Sequence, residues 1–155
     1  MLTIRSGGQT GVDRAALDAA MEQGLAVTGW CPAGRLAEDG RIPDRYPLAE
    51  TSLADYAQRT RWNVRDSDAT LILSRSPLAG GTALTAAIAE ELGRPLLIVD
   101  PGAPVAADVI RSWVRRQRVG DLNVAGPRES EDPGIYTSAL LCMRGFLRDH
   151  GDDPG

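Results

Sequence analysis

The chain contains no lysine: all 17 basic residues among its 155 are arginines. That absence excludes a phosphate-loop lysine, a Schiff-base lysine and a lysine general base. Histidine occurs once, as His150 in a Gly/Asp/Pro-rich tail, so neither a Ser-His-Asp triad nor a multi-histidine metal site can be assembled from one chain. The ordinary reading of His150 is a solvated side chain. Cys31 and Cys142 are the only cysteines and lie far apart, which predicts reduced thiols rather than a disulfide framework. Met1 leads directly into a strand-like run with no leader-like segment, and the expected compartment is the cytoplasm. No apolar run approaches the roughly 20 residues needed to span a bilayer. The formal net charge of −4 and the pI near 5.0 give no electrostatic footprint for a nucleic acid or a membrane surface.

What remains is a chain with 43% hydrophobic content and no internal repeat, which predicts one core and one ligand-binding domain over residues 1–147, followed by a flexible tail at 148–155. Its organising stretch runs from Leu2 to Asp13: a short β-prone segment, a glycine turn, then a helix start. Glycines let backbone approach a ligand closely, and the unpaired N–H groups and dipole of a helix start favour an anion.

The rest of the chain alternates strand-like and helical segments. Thr10 is expected to cap the first helix, with Asp13 as its capping-box partner and Gly24 as its stop. Ala26 to Gly29 form a second strand. The polar segment from Trp30 to Pro47 is too long for an ordinary connection, and such loops are functional or disordered. Ser52 is expected to cap a helix over 53–64. Ala69 to Leu73 read as a strand covered on both faces. Thr82 is expected to cap the next helix, Leu96 to Val99 repeat the buried-strand pattern, and Val105 to Val114 form an amphipathic helix. Leu122 to Ala125 form a fifth strand, and Asp132 is expected to cap the last helix at Pro133. Five such strands interleaved with helices predict an α/β domain, a mostly parallel sheet of about five or more strands with helices on both faces. In such sheets ligands sit beyond the carboxyl ends of the strands. With the strand order 2-1-3-4-5, the loops after the first and third strands would be neighbours.

Two of those loops carry glycines before a helix: Gly7-Gly8-Gln9-Thr10-Gly11 and Gly80-Gly81-Thr82. Together they point to one phosphorylated small-molecule ligand, with Gln9 and Thr10 as donors to its oxygens. A valine at Gly8 is expected to block the phosphate with a smaller effect on folding. Asp13 reads first as a helix cap. Arg59 and Asn63 lie one turn apart and face a common ligand or each other. Arg128 in the third loop offers a fork of donors to a phosphate or carboxylate, or is simply exposed. Cys31 suits a soft metal as thiolate, although packing is its plainer role.

Ser6 to Leu17, Gly29 to Arg35 with Glu38-Asp39-Gly40, Tyr56 to Asn63, Asp66 to Thr70, and Asn123 to Ser130 together resemble the molybdenum carrier proteins, which are similar to the molybdenum cofactor carrier of algae and cyanobacteria. The resemblance covers nearly the whole chain. It implies a Rossmann-like homo-oligomer, a dimer or tetramer, that holds a molybdopterin-type cofactor by its phosphate, shields it from oxidation and serves molybdoenzymes. On this chain the implied binding residues are Gly7, Gly8, Gln9, Thr10, Gly11, Arg59, Asn63, Gly80, Gly81, Thr82, Arg128, Glu129 and Ser130.

More distantly, the order of loops is similar to that of the LOG-type phosphoribohydrolases, which cleave a nucleotide N-glycosidic bond and carry a Pro-Gly-Gly-x-Gly-Thr-x-x-Glu loop. Here the stretch is Leu78-Ala79-Gly80-Gly81-Thr82-Ala83-Leu84-Thr85, without the final carboxylate. Oxocarbenium-like cleavage needs such a group, and Glu90 and Glu91 lie too far along the helix to supply it. Glu38, Asp39 or Glu129 could substitute. The leading expectation is therefore a carrier without catalytic residues or a protein-ligated metal; the alternatives are a nucleotide-processing enzyme of the LOG class and a nucleotide-binding sensor.

Overall fold

The computed structural model describes residues 1–151. In chain order its elements are β1 (Thr3–Arg5), α1 (Val12–Glu22), β2 (Ala26–Thr28), β3 (Trp30–Cys31), β4 (Leu36–Ala37), β5 (Gly40–Arg41), β6 (Ala49–Glu50), α2 (Tyr56–Asp66), β7 (Ala69–Leu73), α3 (Gly80–Glu91), β8 (Leu96–Val99), α4 (Ala106–Gln117), β9 (Asp121–Ala125) and α5 (Ile135–Gly151). Five strands form one parallel sheet in the order β2-β1-β9-β7-β8. Helices α1, α4 and α5 pack together on one face, and α2 and α3 pair on the other. This is the Rossmann-like α/β architecture expected. No helix among the described residues is long and apolar enough to cross a membrane.

The strand order differs from 2-1-3-4-5. The last strand, β9, sits in the middle of the sheet, between β1 and β7. Its polar residues find partners on both neighbouring strands. Asn123 Nδ2 lies 3.3 Å from Thr70 Oγ1 on β7, and Arg5 of β1 donates to both oxygens of Asp121 at 3.0 and 2.9 Å. Cross-strand pairs of this kind select neighbours. Counting β9–α5 as the first unit instead of the last turns the order into 3-2-1-4-5, the common doubly wound arrangement. The crevice where such a sheet changes direction then falls between β9 and β7.

The two faces are built differently. On α1 the buried residues facing the sheet and α5 are Val12, Ala15, Ala16, Ala19 and Ala20; α5 answers with Ala139, Met143, Phe146 and Leu147. Small residues on one helix admit large ones from the other, which is how close-packed interiors are filled. All five residues of β7 are buried, as its apolar run predicts.

The long segment after β2 is an ordered strap. Strand β3 pairs with β6, β4 with β5, and Cys31, Ala37, Ile42, Tyr46 and Leu48 cluster against Leu17 of α1. Arg35 holds it from inside, in the left-handed region at φ 54°. Its guanidinium donates to the carbonyls of Ile42 (3.2 Å), Pro43 (2.8 Å), Tyr46 (2.9 Å) and Leu48 (3.1 Å). A buried arginine satisfied by four carbonyls replaces the hydrophobic content that this polar stretch lacks.

Helix starts are where the local sequence signals mislead. Gly11, not Thr10, is the N-cap of α1, and no side chain caps it. Asp55, not Ser52, caps α2 by accepting from Gln58 N at 3.0 Å, so that helix begins three residues later than expected. Helix α3 begins at Gly80 behind Ala79, so Thr82 lies inside its first turn. The Asp132 carboxylate turns to Arg75, and Glu129 accepts from Gly134 N and Tyr136 N at 2.8 and 2.9 Å instead. Helix α5 continues to Gly151, into the segment expected to be tail; residues 152–155 of that segment lie outside the described residues.

Candidate functional site

A cleft of about 160 Å³ opens beyond the carboxyl ends of β1, β7 and β9. The first turn of α3 forms one wall with Gly80, Gly81 and Thr82; α2 forms another with Tyr56, Arg59 and Thr60. Gln9 and Asp13 reach in from the loop after β1 and the start of α1, Arg128 and Glu131 from the loop after β9.

The α3 end is open by construction. The first N–H groups of a helix have no intrahelical partner, and no side chain caps these. No heavy atom lies within 4 Å of where a Cβ would stand on Gly80 or Gly81. The helix dipole adds about half a positive charge at this point.

Arg59 supplies the second cationic feature. Its Nη1 donates to Asp13 Oδ2 at 3.1 Å, with 14% of the arginine and 5% of the aspartate side chain exposed. Nε of Arg59 is buried without a hydrogen-bond partner. Gly7 makes room for this guanidinium, since a Cβ there would overlap Arg59 Nη1. Asp13 also accepts from Gln9 N at 3.2 Å. Burial pushes its carboxyl above the ordinary aspartate value even though Arg59 and the Gln9 N–H pull it down. The expected cap is thus a cleft-lining half of an ion pair.

Around the rim, Glu38 ties the strap to the other loops. Its Oε1 accepts from Thr10 Oγ1 at 2.5 Å and Ser130 N at 3.2 Å, and its Oε2 from Ser130 Oγ at 2.5 Å. Partial burial raises the Glu38 carboxyl, but the hydrogen bonds from Ser130 and Thr10, with the charge of Arg128, bring it below the usual glutamate value. Arg128 Nε lies 2.9 Å from Glu131 and 3.4 Å from Glu38, so it stands between two carboxylates. The side-chain oxygen Oε1 of Gln9 accepts from Thr10 N and Glu38 N, which leaves its side-chain amide nitrogen Nε2 as the donor at the cleft.

Of the residues singled out from sequence, Gln9, Arg59, Gly80, Gly81, Thr82 and Arg128 converge on the cleft. The others have different neighbours. Gly8, at φ 79°, packs under the strap, where a Cβ would stand 2.6 Å from Leu48 Cδ1 and 3.1 Å from Ile42 Cδ1. Gly11 lies against the backbone of Pro127 and Arg128. Asn63 bonds the backbone N and O of Trp30 at 2.8 and 2.9 Å rather than Arg59. Thr10, Ser130 and Glu129 serve the Glu38 knot and the α5 cap. Cys31 is buried in the strap cluster and its thiol is raised by burial. Tyr56, Thr60, Leu84, Thr85 and Glu131 were not read from sequence as cleft residues. The i, i+3, i+4 spacing of Tyr56, Arg59 and Thr60 is the signal that could have found two of them.

The family model of the circularly permutated YpsA SLOG family matches residues 4–147. The chain belongs to this family. The permutation in the family's description agrees with the sheet, in which the β9–α5 unit occupies the place of a first unit. A search of curated proteins found no match. Among solved structures, the chain is similar to a crystal structure named "Putative molybdenum carrier protein" from Syntrophus aciditrophicus SB, with 45% identity, 95% of each chain covered and a TM-score of 0.91. In this permuted SLOG chain the position of the LOG-loop carboxylate is held by Thr85, whose hydroxyl donates back to Gly81 O at 2.9 Å.

Proposed function

We propose that the chain binds a phosphate-bearing small molecule in this cleft, and that the ligand is the molybdenum cofactor, held and protected without turnover. The observation that carries the reading is the convergence of the uncapped α3 N-terminus with Arg59, whose buried Nε lacks a partner. A phosphate monoester fits both: helix N–H groups and the dipole take its charge, and the guanidinium adds directed donors. The residues present fit the organic part of such a cofactor rather than a bare metal, since no cluster of His, Cys, Asp or Glu among the described residues could hold an ion. The cofactor supplies its own dithiolene sulfurs to molybdenum when bound. The chain's task is then to anchor the phosphate with Gly80, Gly81, Arg59 and Arg128 and to shield the remainder. The name of the 45%-identical neighbour supports this choice of ligand.

Protein prepared without oxygen and supplied with the cofactor at micromolar concentration is expected to retain molybdenum and pterin after gel filtration; failure to retain either contradicts the reading. A homo-oligomer in the cytoplasm that passes its cargo to molybdoenzymes is part of the same proposal. Exposed Leu141, Val105 and Ile98 give it apolar surface for self-association, which light scattering tests.

One observation favours a second reading, cleavage of a nucleotide N-glycosidic bond. Asp13 places a carboxyl of raised pKa in the cleft. Against it, Asp13 is bonded to Arg59, Asp39 to Arg14, Glu38 to Thr10 and Ser130, and Glu129 to the α5 start. Incubation with nucleoside monophosphates is expected to release no free base; release would establish the enzyme instead.

A further inference from the structure

At the mouth of the cleft two side chains do not belong to a phosphate site. Tyr56 opens α2 and is 39% exposed; Leu84, on α3, is 38% exposed. Both line the same cavity as Gly80, Gly81 and Arg59. Large apolar groups left more than a third exposed at the entrance of a cleft that also holds Gln9, Asp13 and Arg59 gain from burial when a ligand covers them. Leu84 lies about one helical turn beyond the α3 N-terminus, ~5.4 Å. That spacing is the reach of a short linker or sugar between a phosphate and a ring. The Arg59 guanidinium approaches the Tyr56 ring, 5.5 Å from its centroid, so the residue that offers donors to the phosphate also positions the aromatic ring. The cleft volume of about 160 Å³ is close to that of an engineered cavity, ~150 Å³, that admits benzene.

We propose that Tyr56 and Leu84 form a stacking wall for a planar fused heterocycle, so that the cleft selects phosphate monoesters of pterin- or purine-like rings over phosphorylated sugars. This rests on the reading of the cleft as a phosphate site and adds the chemistry of the ligand's other end. Tyr56 presents a π-face and Leu84 an apolar edge, so ring recognition here is by stacking and tolerates differences in ring substituents.

The test compares guanosine 5′-monophosphate with ribose 5-phosphate, each titrated calorimetrically into wild type, Tyr56→Ala and Tyr56→Phe. Wild type is expected to bind the nucleotide about tenfold or more tighter than the sugar phosphate, the size of one base–aromatic stack. Tyr56→Ala is expected to lose that advantage while binding ribose 5-phosphate within twofold of wild type, and Tyr56→Phe to retain it. Unchanged nucleotide binding in Tyr56→Ala, or an equal loss for both ligands, overturns the stacking wall and leaves the phosphate site standing. Failure of wild type to bind either ligand, or inorganic phosphate, overturns the phosphate reading and the wall with it.

Discussion

Asp13 and Arg59 are brought together across 46 positions of sequence by a 3.1 Å contact, and each is costly without the other. A buried pair broken by removing one partner costs about 3–5 kcal/mol, because the remaining charge stays desolvated. Arg59→Leu is therefore expected to lower stability by roughly this amount, measured by urea denaturation. An unchanged midpoint would mean that water reaches Asp13 freely. The glycines separate more finely. Gly8→Val is expected to destabilise the fold as well as weaken binding, because its methyls meet Leu48 and Ile42 of the strap and its φ of 79° disfavours a β-branched residue. Gly81→Val, in open space, is expected to leave the melting temperature unchanged and obstruct the cleft. From sequence the two loops look equivalent, since a glycine before a helix serves packing and phosphate alike. What separates Gly8 from Gly81 is Leu48 and Ile42, distant residues whose approach depends on how the strap folds.

The strap is an element whose tip, the turn between β4 and β5, is pinned by charge. Glu38 meets Thr10, Ser130 and Arg128 at its tip, and Asp39 meets Arg14 at 2.5 and 2.8 Å. Both carboxyls titrate below their ordinary values, Asp39 through the hydrogen bonds from Arg14 and Glu38 as the balance of burial against its donors. A folded-state value below the unfolded one means that the ionised form stabilises the fold. The contribution is fully present above the unfolded carboxylate range, near 4.3 for glutamate, and is lost as pH falls through the lowered folded value. The melting temperature of Glu38→Gln is expected to lie a few degrees below that of wild type at pH 7, with the gap closing as pH falls through that range. A gap that persists undiminished to pH 2 would show that charge at Glu38 does not hold the strap. The length and polarity of this segment were visible in the sequence. Its order was not, because it depends on Arg35 finding four carbonyls that become neighbours only when the strap has closed.

At the scale of the whole molecule, the sheet is a doubly wound one with its first unit moved to the end of the chain. The alternation of apolar runs and amphipathic helices made the α/β class and the elements of the sheet legible. Strand order was hidden, since it rests on pairs such as Arg5–Asp121 and Asn123–Thr70 that no local pattern announces. Strands β1 and β9 are parallel, so the helix that follows β9 runs back toward the side of the sheet from which β1 starts. A permuted chain beginning at Val119, with the original ends joined by a flexible linker, is expected to fold cooperatively with an unchanged circular dichroism spectrum; a failure to fold would contradict the account of β9 and α5 as a transferable unit. The cleft between β9 and β7 is the proposed ligand site, and cofactor binding by wild type and Gly81→Val under exclusion of oxygen tests that proposal most directly. Wild type is expected to bind the molybdenum cofactor with a micromolar or lower Kd, and Gly81→Val, equally stable, to bind it at least tenfold more weakly. Equal affinity in the two proteins would contradict the α3 N-terminus as the phosphate anchor.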